Sequence, residues 1–528
     1  MTIDQHNAAP PRKATQIALR ILAALGVLLL VALLLAPFFG QPFEDAIILY
    51  QYSANLAHTG VISFIPHGPP AEGATDFLWM LYLAAGQLLH IPSYGLAVFT
   101  SAICVVLLAV VLIRLARQRV TPVNLLAVAG LVLLAPQTWA AAAGFSVFAF
   151  GLTLALMAGL ACERYGAAVS TGLILCLIRP DGVVFAVPLL LVYLFRGGEL
   201  RSRATKVTLG FVLPGAAYFL WRWYYFGLLL PLPFYVKSDT PRLFGVLVLK
   251  SAIGLAPPLA AACIVLGLTL GRTLLERRNL ILLVTLVVPA SLFYLTLRLD
   301  QNYANRFFLY PLIVMAVLLA ANFERARSRA LVTGLATWLL VLSYFWINWA
   351  VISTLEYPQP QVVAASRALR GLPGTMLVTE SGAIPFYSQW TAYDAWGLNT
   401  PAFATRLIQP GDVRRLQPDL IVIHTETGPT PCAVPPDSVP RAARSWENMA
   451  HNVLLGIDQS QYSQWLLPQF SPYYDSHPRR WNGQLRPGRF DYQCWFIRTG
   501  FPEYGRIAEI LRQNGGLTPA QYIALARQ

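Results

Sequence analysis

Over the first 350 residues, long apolar runs alternate with short, mostly basic breaks; the alternation stops after Tyr357-Pro358-Gln359-Pro360. Apolar runs of about 15–25 residues have the length a helix needs to cross a bilayer. They fall near 16–39, 95–113, 122–139, 144–162, 166–178, 181–196, 207–226, 245–269, 279–297, 307–322 and 330–350. The first has flanking basic residues but no small-x-small site behind it, so it reads as an uncleaved anchor and not a signal peptide. The segment 75–90 (TDFLWMLYLAAGQLLH) is ambiguous. Counted as a span, it puts Arg114, Arg117, Arg119 and the run Arg196 to Lys206 outside. Read as a helix lying on the outer surface, it leaves every basic cluster inside: Arg12/Lys13, Arg114–Arg119, Arg164, Arg196–Lys206, Arg272–Arg278 and Arg325–Arg329. The second solution predicts about eleven spans, a cytoplasmic N-terminus, a large first external loop (41–94) and an external C-terminal domain.

Composition agrees with a polytopic α-helical membrane protein. Hydrophobic residues make up 56% and charged residues 12% of the chain, and mean hydropathy is +0.54. A net charge of +14 alone would fit a nucleic-acid partner. The basic residues instead recur between apolar runs, as orientation signals do, so no nucleic-acid partner is expected.

Two units follow: 1–354, a transmembrane module, and 355–528, a small α/β domain large enough for its own core. In the second, Thr375–Thr379 and Asp419–His424 read as short buried strands, and Gln361–Leu372 and Glu503–Gln513 as helices. Tyr462 through Phe496 is dense in Tyr, Trp, Arg and Pro, which suits either carbohydrate stacking or ordinary packing. Cys104, Cys162, Cys176 and Cys263 sit in apolar segments as small hydrophobes. Cys432 and Cys494 lie in the external domain, where an oxidising compartment permits a disulfide.

Five polar constellations fall on the outer side of this topology. Adjacent carboxylates Glu44-Asp45 open the first loop; Asp45 can act as general base on an acceptor hydroxyl, with Glu44 orienting it or holding a divalent cation. An acidic pair opening an amphipathic helix is the plainer reading. Further along the loop come His67 and Glu72, the latter either a sugar-hydroxyl contact or a cap for the following helix. Arg179-Pro180-Asp181-Gly182 needs its Pro, Asp and Gly for a turn; Arg179 either forks onto a lipid phosphate or snorkels to headgroups. Tyr235 and Lys237 can contact a sugar phosphate or anchor the interface. Arg306, at the outer mouth of a span, asks for an anionic partner, with Asp300 or Asp239 as structural candidates. Cations converging on a carboxylate pair suit transfer from a lipid-phosphate leaving group through an oxocarbenium-like transition state. The sequence holds no Walker loop, dinucleotide fingerprint, His/Cys metal spacing or nucleophile elbow. A lipid-linked sugar flippase or transporter is the rival class; it would place ionisable residues at mid-membrane, where the predicted spans carry few, Lys250 among them.

The order Glu44-Asp45-Ala-Ile-Ile-Leu-Tyr-Gln-Tyr, Glu72-Gly-Ala-Thr-Asp-Phe-Leu-Trp79, Arg179-Pro-Asp-Gly182, Pro233-Phe-Tyr-Val-Lys237, Arg306-Phe and Gly382-Ala-Ile-Pro-Phe-Tyr-Ser388 resembles the GT-C glycosyltransferases, and within them the group of the mycobacterial terminal arabinofuranosyltransferase and its bacterial relatives. The resemblance implies a GT-C-like fold in a bacterial inner (plasma) membrane. It also implies a polyprenyl-phosphate-linked sugar donor (arabinofuranose in that group), a glycan, lipid or protein acceptor, and inverting transfer on the periplasmic or extracellular side. The catalytic acid of the family falls on Asp45. Three departures stand out: Glu44 occupies a position where relatives usually show Asp, no Glu lies near Ser146, and Pro231-Leu232-Pro233 replaces a common Pro-Asn-Thr.

Overall fold

The computed structural model describes residues 42–121, 143–195, 199–238, 244–297, 303–325, 360–424, 437–469 and 491–526, with isolated positions and short pieces between them. The expected spans 16–39, 122–139 and 330–350 fall wholly or mostly outside these residues, as do Asp239 and Asp300.

The first half is helical. Its helices are α1 (Glu44–Thr59), α2 (Phe77–Leu88), α3 (Ser93–Leu115), α4 (Val147–Glu163), α5 (Tyr165–Ile178), α6 (Val183–Leu194), α7 (Leu213–Phe226), α8 (Leu232–Ser238), α9 (Phe244–Leu270), α10 (Arg277–Leu286), α11 (Val288–Thr296) and α12 (Tyr310–Ala321). Among the described residues three helical stretches are long and apolar enough to cross a membrane: Ser93–Leu115, Ser251–Leu275 and Arg277–Thr296. Helix α5 has its expected length, whereas α4, α6 and α12 are a few residues shorter than expected. Arg164 separates α4 from α5, and Arg179 to Gly182 separates α5 from α6. Helices α2, α6 and α12 each have 12 residues, a rise of about 18 Å, short of the roughly 30 Å hydrocarbon core. Large apolar side chains stand exposed along these helices, among them Leu209, Leu220, Tyr224, Leu249 and Leu292, a surface that water would not tolerate at this density.

The second half is an α/β domain. Strands β1 (Thr375–Val378), β2 (Thr391–Asp394), β3 (Leu420–His424), β4 (Tyr462–Gln469) and β5 (Asp491–Arg498) form one sheet in the order β2-β1-β3-β5-β4. The first three run parallel, and β5 is antiparallel to both neighbours. The apolar run Leu420-Ile-Val-Ile423 is buried on both faces, as parallel strands under covering helices are. Helices α13 (Pro360–Ala368), α14 (Ala383–Ser388), α15 (Pro410–Leu416), α16 (Trp446–Gly456) and α17 (Tyr504–Gln513) complete the domain. Strands β1 and β3 and the helices α13 and α17 agree with the sequence expectation within a few residues, whereas β2, β4 and β5 were not expected. Most of 470–490 lies outside the described residues. Cys432 and Cys494 are joined in a disulfide with Cα atoms 6.3 Å apart.

One hydrophobic core serves both the first loop and the sheet domain. Phe43, Ile47, Tyr50 and Tyr52 of the α1 segment, and Trp79, Met80 and Leu83 of α2, pack with Met376, Val378, Ile421, Ile423 and Trp495. The apolar helices beyond α2 have separate cores. Loop 41–94 and the C-terminal domain therefore lie on the same side of the helical module, a unit that cuts across the boundary expected near 354.

Candidate functional site

Parallel strands leave a crevice beyond their carboxyl ends, where α/β domains place ligands. Here that edge receives the first loop. After β1 the chain runs Thr379-Glu380-Ser381-Gly382, and the Gly382 and Ala383 N–H groups donate to Glu44 Oε1 at 2.7 and 2.9 Å. Gly382 is obligatory: a Cβ there would lie 2.3 Å from the Glu44 carbonyl oxygen. After β2, buried Asp394 accepts from the Trp396 and Asn399 N–H groups at 2.9 and 3.0 Å and from Asn399 Nδ2 at 2.9 Å. This holds a turn that Gly397 closes with φ +92°. That turn meets the first loop at Gly73, where an added Cβ would sit 2.2 Å from Asn399 Oδ1. Gly73 N–H also donates to the Tyr52 hydroxyl at 3.0 Å. Burial pushes Asp394 up to about 6, against the four bonds that hold it down.

Glu44 and Asp45 are neighbours in sequence but face different halves, since consecutive helical residues do not share a face. Burial, then the nearby Glu380 charge, pushes the Glu44 carboxyl well above the usual carboxylate range. Burial acts on Glu380 the same way, but His424 and Gln493 outweigh it and leave that carboxyl low. His424 Nδ1 lies 2.5 Å from Glu380 Oε1, and Gln493 Nε2 donates to Glu380 Oε2 at 2.9 Å.

Asp45 turns the other way and accepts from Arg306 Nη2 at 2.9 Å. Arg306 is buried, whereas the Asp45 side chain keeps 19% of its exposure. The Arg306 guanidinium lies over Phe145 at 4.1 Å and Phe307 at 5.2 Å. Arg179 lies over the same Phe307 at 4.6 Å and over Phe150 at 5.2 Å. Its Nε donates to Asp181 Oδ1 at 3.0 Å and its Nη2 to Oδ2 at 2.6 Å; the Tyr294 hydroxyl donates to the same Oδ2. Asp76, the residue before α2, accepts from the Ser146 hydroxyl at 2.5 Å. Burial raises its carboxyl against the pull of Arg179. Asp45, Asp76, Asp181, Arg179 and Arg306 thus form one aromatic-walled charge cluster.

Of the residues singled out from sequence, the structure brings Asp45, Arg179 and Arg306 together. Arg306 pairs with Asp45; the candidates Asp300 and Asp239 lie outside the described residues. Glu72, Tyr235 and Lys237 belong to a neighbouring group. Glu72 forks with Arg222, whose Nε donates to its two oxygens at 2.9 and 3.1 Å, while Arg222 Nη1 reaches Leu229 O at 2.6 Å. Leu232 N–H donates to Glu72 O at 3.1 Å and so ties α8 to the loop. The Tyr235 hydroxyl accepts from Leu230 N–H at 3.3 Å, and half-buried Lys237 follows two residues on. His67 is exposed, at φ 56°. Among the described residues no three His, Cys, Asp or Glu side chains gather as a metal site; Glu44 is taken up by backbone donors. Asp76 lay within a quoted motif without a role of its own; Arg222, Glu380, His424 and Gln493 were not singled out from sequence. Arg222 had a signal: an Arg four residues inside the end of the apolar run 207–226 has few ways to be buried without an acid. Glu380, His424 and Gln493 had none, because strand ends and loop tips meet only in the fold.

The model of a family described as a domain of unknown function (DUF8728) matches residues 354–477, the linker and much of the sheet domain. No curated protein and no solved structure matches the chain.

Proposed function

We propose that the protein is a GT-C-type membrane glycosyltransferase with about eleven spans. It moves one sugar, arabinofuranose by the closest resemblance, from a polyprenyl phosphate to a glycan, lipid or protein acceptor outside the plasma membrane. The observation that carries this reading is the pairing of a partly exposed first-loop carboxylate, Asp45, with a buried, ring-stacked guanidinium, Arg306. Asp45 takes the proton of the attacking acceptor hydroxyl as its oxygen bonds to the anomeric carbon. The bond from that carbon to the phosphate oxygen breaks with inversion, and the polyprenyl phosphate leaves with the electron pair. Arg306 receives the phosphate charge, a contact stronger in an aromatic, water-poor setting than in water. Arg179, held by Asp181, keeps Phe307 and hence Arg306 in place. Lys237 and Tyr235, beside the Glu72–Arg222 pair, extend the phosphate and sugar contacts. Buried charges that cluster where helices meet the first loop, and not mid-helix, favour surface chemistry over transport.

Transfer by the purified full chain, supplied with polyprenyl-phosphate sugars and the membrane's own acceptors, tests the reading. Asp45→Asn should lower turnover about 10²–10⁴-fold, the usual span for a general base, with donor lipid still bound. Undiminished turnover removes Asp45 as base. Lipid translocation without transfer by the wild type replaces the enzyme with a flippase.

A further inference from the structure

We propose that Arg164, Arg203 and Lys206 form a binding site for one anionic phospholipid headgroup, at the end of the helical half away from Asp45. The inference rests on the membrane setting of the proposed function and not on sugar transfer. Helical turns run without a break from Leu200 to Val207, through Thr208–Val212 and along α7 to Phe226, a rod about 40 Å long. At one end of the rod Arg222 holds Glu72 of the first loop. The other end lies on the turn between α4 and α5. There the Arg203 guanidinium stands over the Tyr165 ring at 5.7 Å and donates to Tyr193 O, near the end of α6, at 2.9 Å. Lys206 Cδ would lie 3.8 Å from a Cβ added at Gly166, and Gly210 lets the rod approach α5, where an added Cβ would lie 3.0 Å from Val169 Cγ1. Arg164, which is exposed, directly precedes Tyr165. From this turn α5 runs 14 residues, a rise of about 21 Å, to Arg179 of the charge cluster, so the helices separate the two places. Arg179, Arg222 and Arg306 each have a carboxylate; Arg164, Arg203 and Lys206 have none among the described residues. Like charges gathered without an acid repel, and an anion between them removes that cost. The surface beside them is apolar, with Leu191, Phe195, Leu209, Val212 and Leu213 all exposed. A phosphate among the cations, with its acyl chains along this strip, satisfies both surfaces at once, which a soluble anion does not. With no acid present to receive a choline ammonium, the site selects an anionic over a zwitterionic headgroup.

Native mass spectrometry of the full chain in a neutral detergent, titrated with phosphatidylglycerol or phosphatidylcholine, tests the proposal. The expected result is one phosphatidylglycerol held about tenfold more tightly than phosphatidylcholine. Arg164→Gln/Lys206→Gln should weaken that binding about tenfold. Arg114→Gln/Arg119→Gln removes the same number of exposed cations at the end of α3 and should leave the binding unchanged. Equal losses in the two variants would make the attraction a property of basic surface in general and overturn the site. Equal affinity for the two lipids, or binding of inorganic phosphate without the lipid, would overturn it as well. If Arg164→Gln/Lys206→Gln fails to fold, the contrast between the two lipids on the wild type still decides. Loss or presence of sugar transfer bears on the enzyme and leaves this result standing. Release of the chain from its membrane by alkaline carbonate without detergent removes the membrane setting, and the site with it.

Discussion

The two halves of the molecule satisfy the same physical demands in opposite ways. In the sheet domain the apolar residues turn inward; beyond residue 360 only Val439 and Ile523 are large, apolar and exposed among the described residues. In the helical half such side chains face outward along most helices; both halves bury charges, Arg179, Arg222 and Arg306 in the one, Asp394 and Arg444 in the other. The bilayer of the proposed reading would accept the outward Leu side chains of the helical half. Each of the three buried guanidiniums of the helical half has its own carboxylate in Asp181, Glu72 or Asp45. The first loop stands between the halves, donating its apolar face to the sheet's core and its acids to the helices' cations. That division teaches how one helical turn, Glu44-Asp45, serves both.

The comparison can be broken at several points, beginning with the largest expected effect. Asp45→Asn, on the helical side of the turn, should cost transfer about 10²–10⁴-fold, whereas Glu44→Gln, on the sheet side, should cost far less because Gln still accepts from Gly382 and Ala383 N–H. Equal losses in the turnover assay would erase the division of roles. Glu72→Ala strands Arg222 without its acid in a buried site, a loss of about 3–5 kcal/mol, read as a fall in thermal stability of the helical half. Reduction of Cys432–Cys494, which span 62 residues, should destabilise the sheet domain by about 4 kcal/mol in the chain-entropy picture and leave the helical half unmoved. Gly382→Ala should cost about 1–3 kcal/mol through overpacking against Glu44, seen as faster hydrogen exchange at α1 and β1 together. At the small end, Glu276→Ala removes an ion pair with Arg325 whose side chains are 47% and 59% exposed; denaturation should shift by less than about 1 kcal/mol.

The junction also carries a pH signature. Glu44 in the folded protein holds its proton to higher pH than in the unfolded chain, between about 4.5 and 8. The folded state then binds more protons in that window, so this group's contribution to stability falls as pH rises through it. Asp394, pushed up to about 6, acts in the same sense between 3.8 and 6. Hydrogen exchange at Gly382 and Ala383 should quicken from pH 5 to pH 8 in the wild type and less so in Glu44→Gln. The same slope in both proteins would assign the effect to another group.

Much of this was legible in the chain, for identifiable reasons. Apolar runs marked the helices because lipid and core ask for the same residues. Leu420-Ile-Val-Ile423 marked a buried strand by β-branching and lack of alternation. Asp45, Arg179 and Arg306 were found because charge beside an apolar run is costly unless it has work to do. What could not be read was pairing across distance: Arg306 meets Asp45 over 261 residues, Arg222 meets Glu72 over 150, and Glu44 meets Gly382 over 338. Spacing carries no trace of such contacts. Nor did it show that α6 and α12 are a few residues shorter than their apolar runs.

The most direct test of the central claim is mass spectrometry of lipids held by the purified full chain after exposure to lipid extract from its own membrane, wild type against Arg306→Ala. The account predicts a polyprenyl-phosphate sugar on the wild type and at least tenfold less on Arg306→Ala. An equal amount on both proteins, or no such lipid on either, would contradict it.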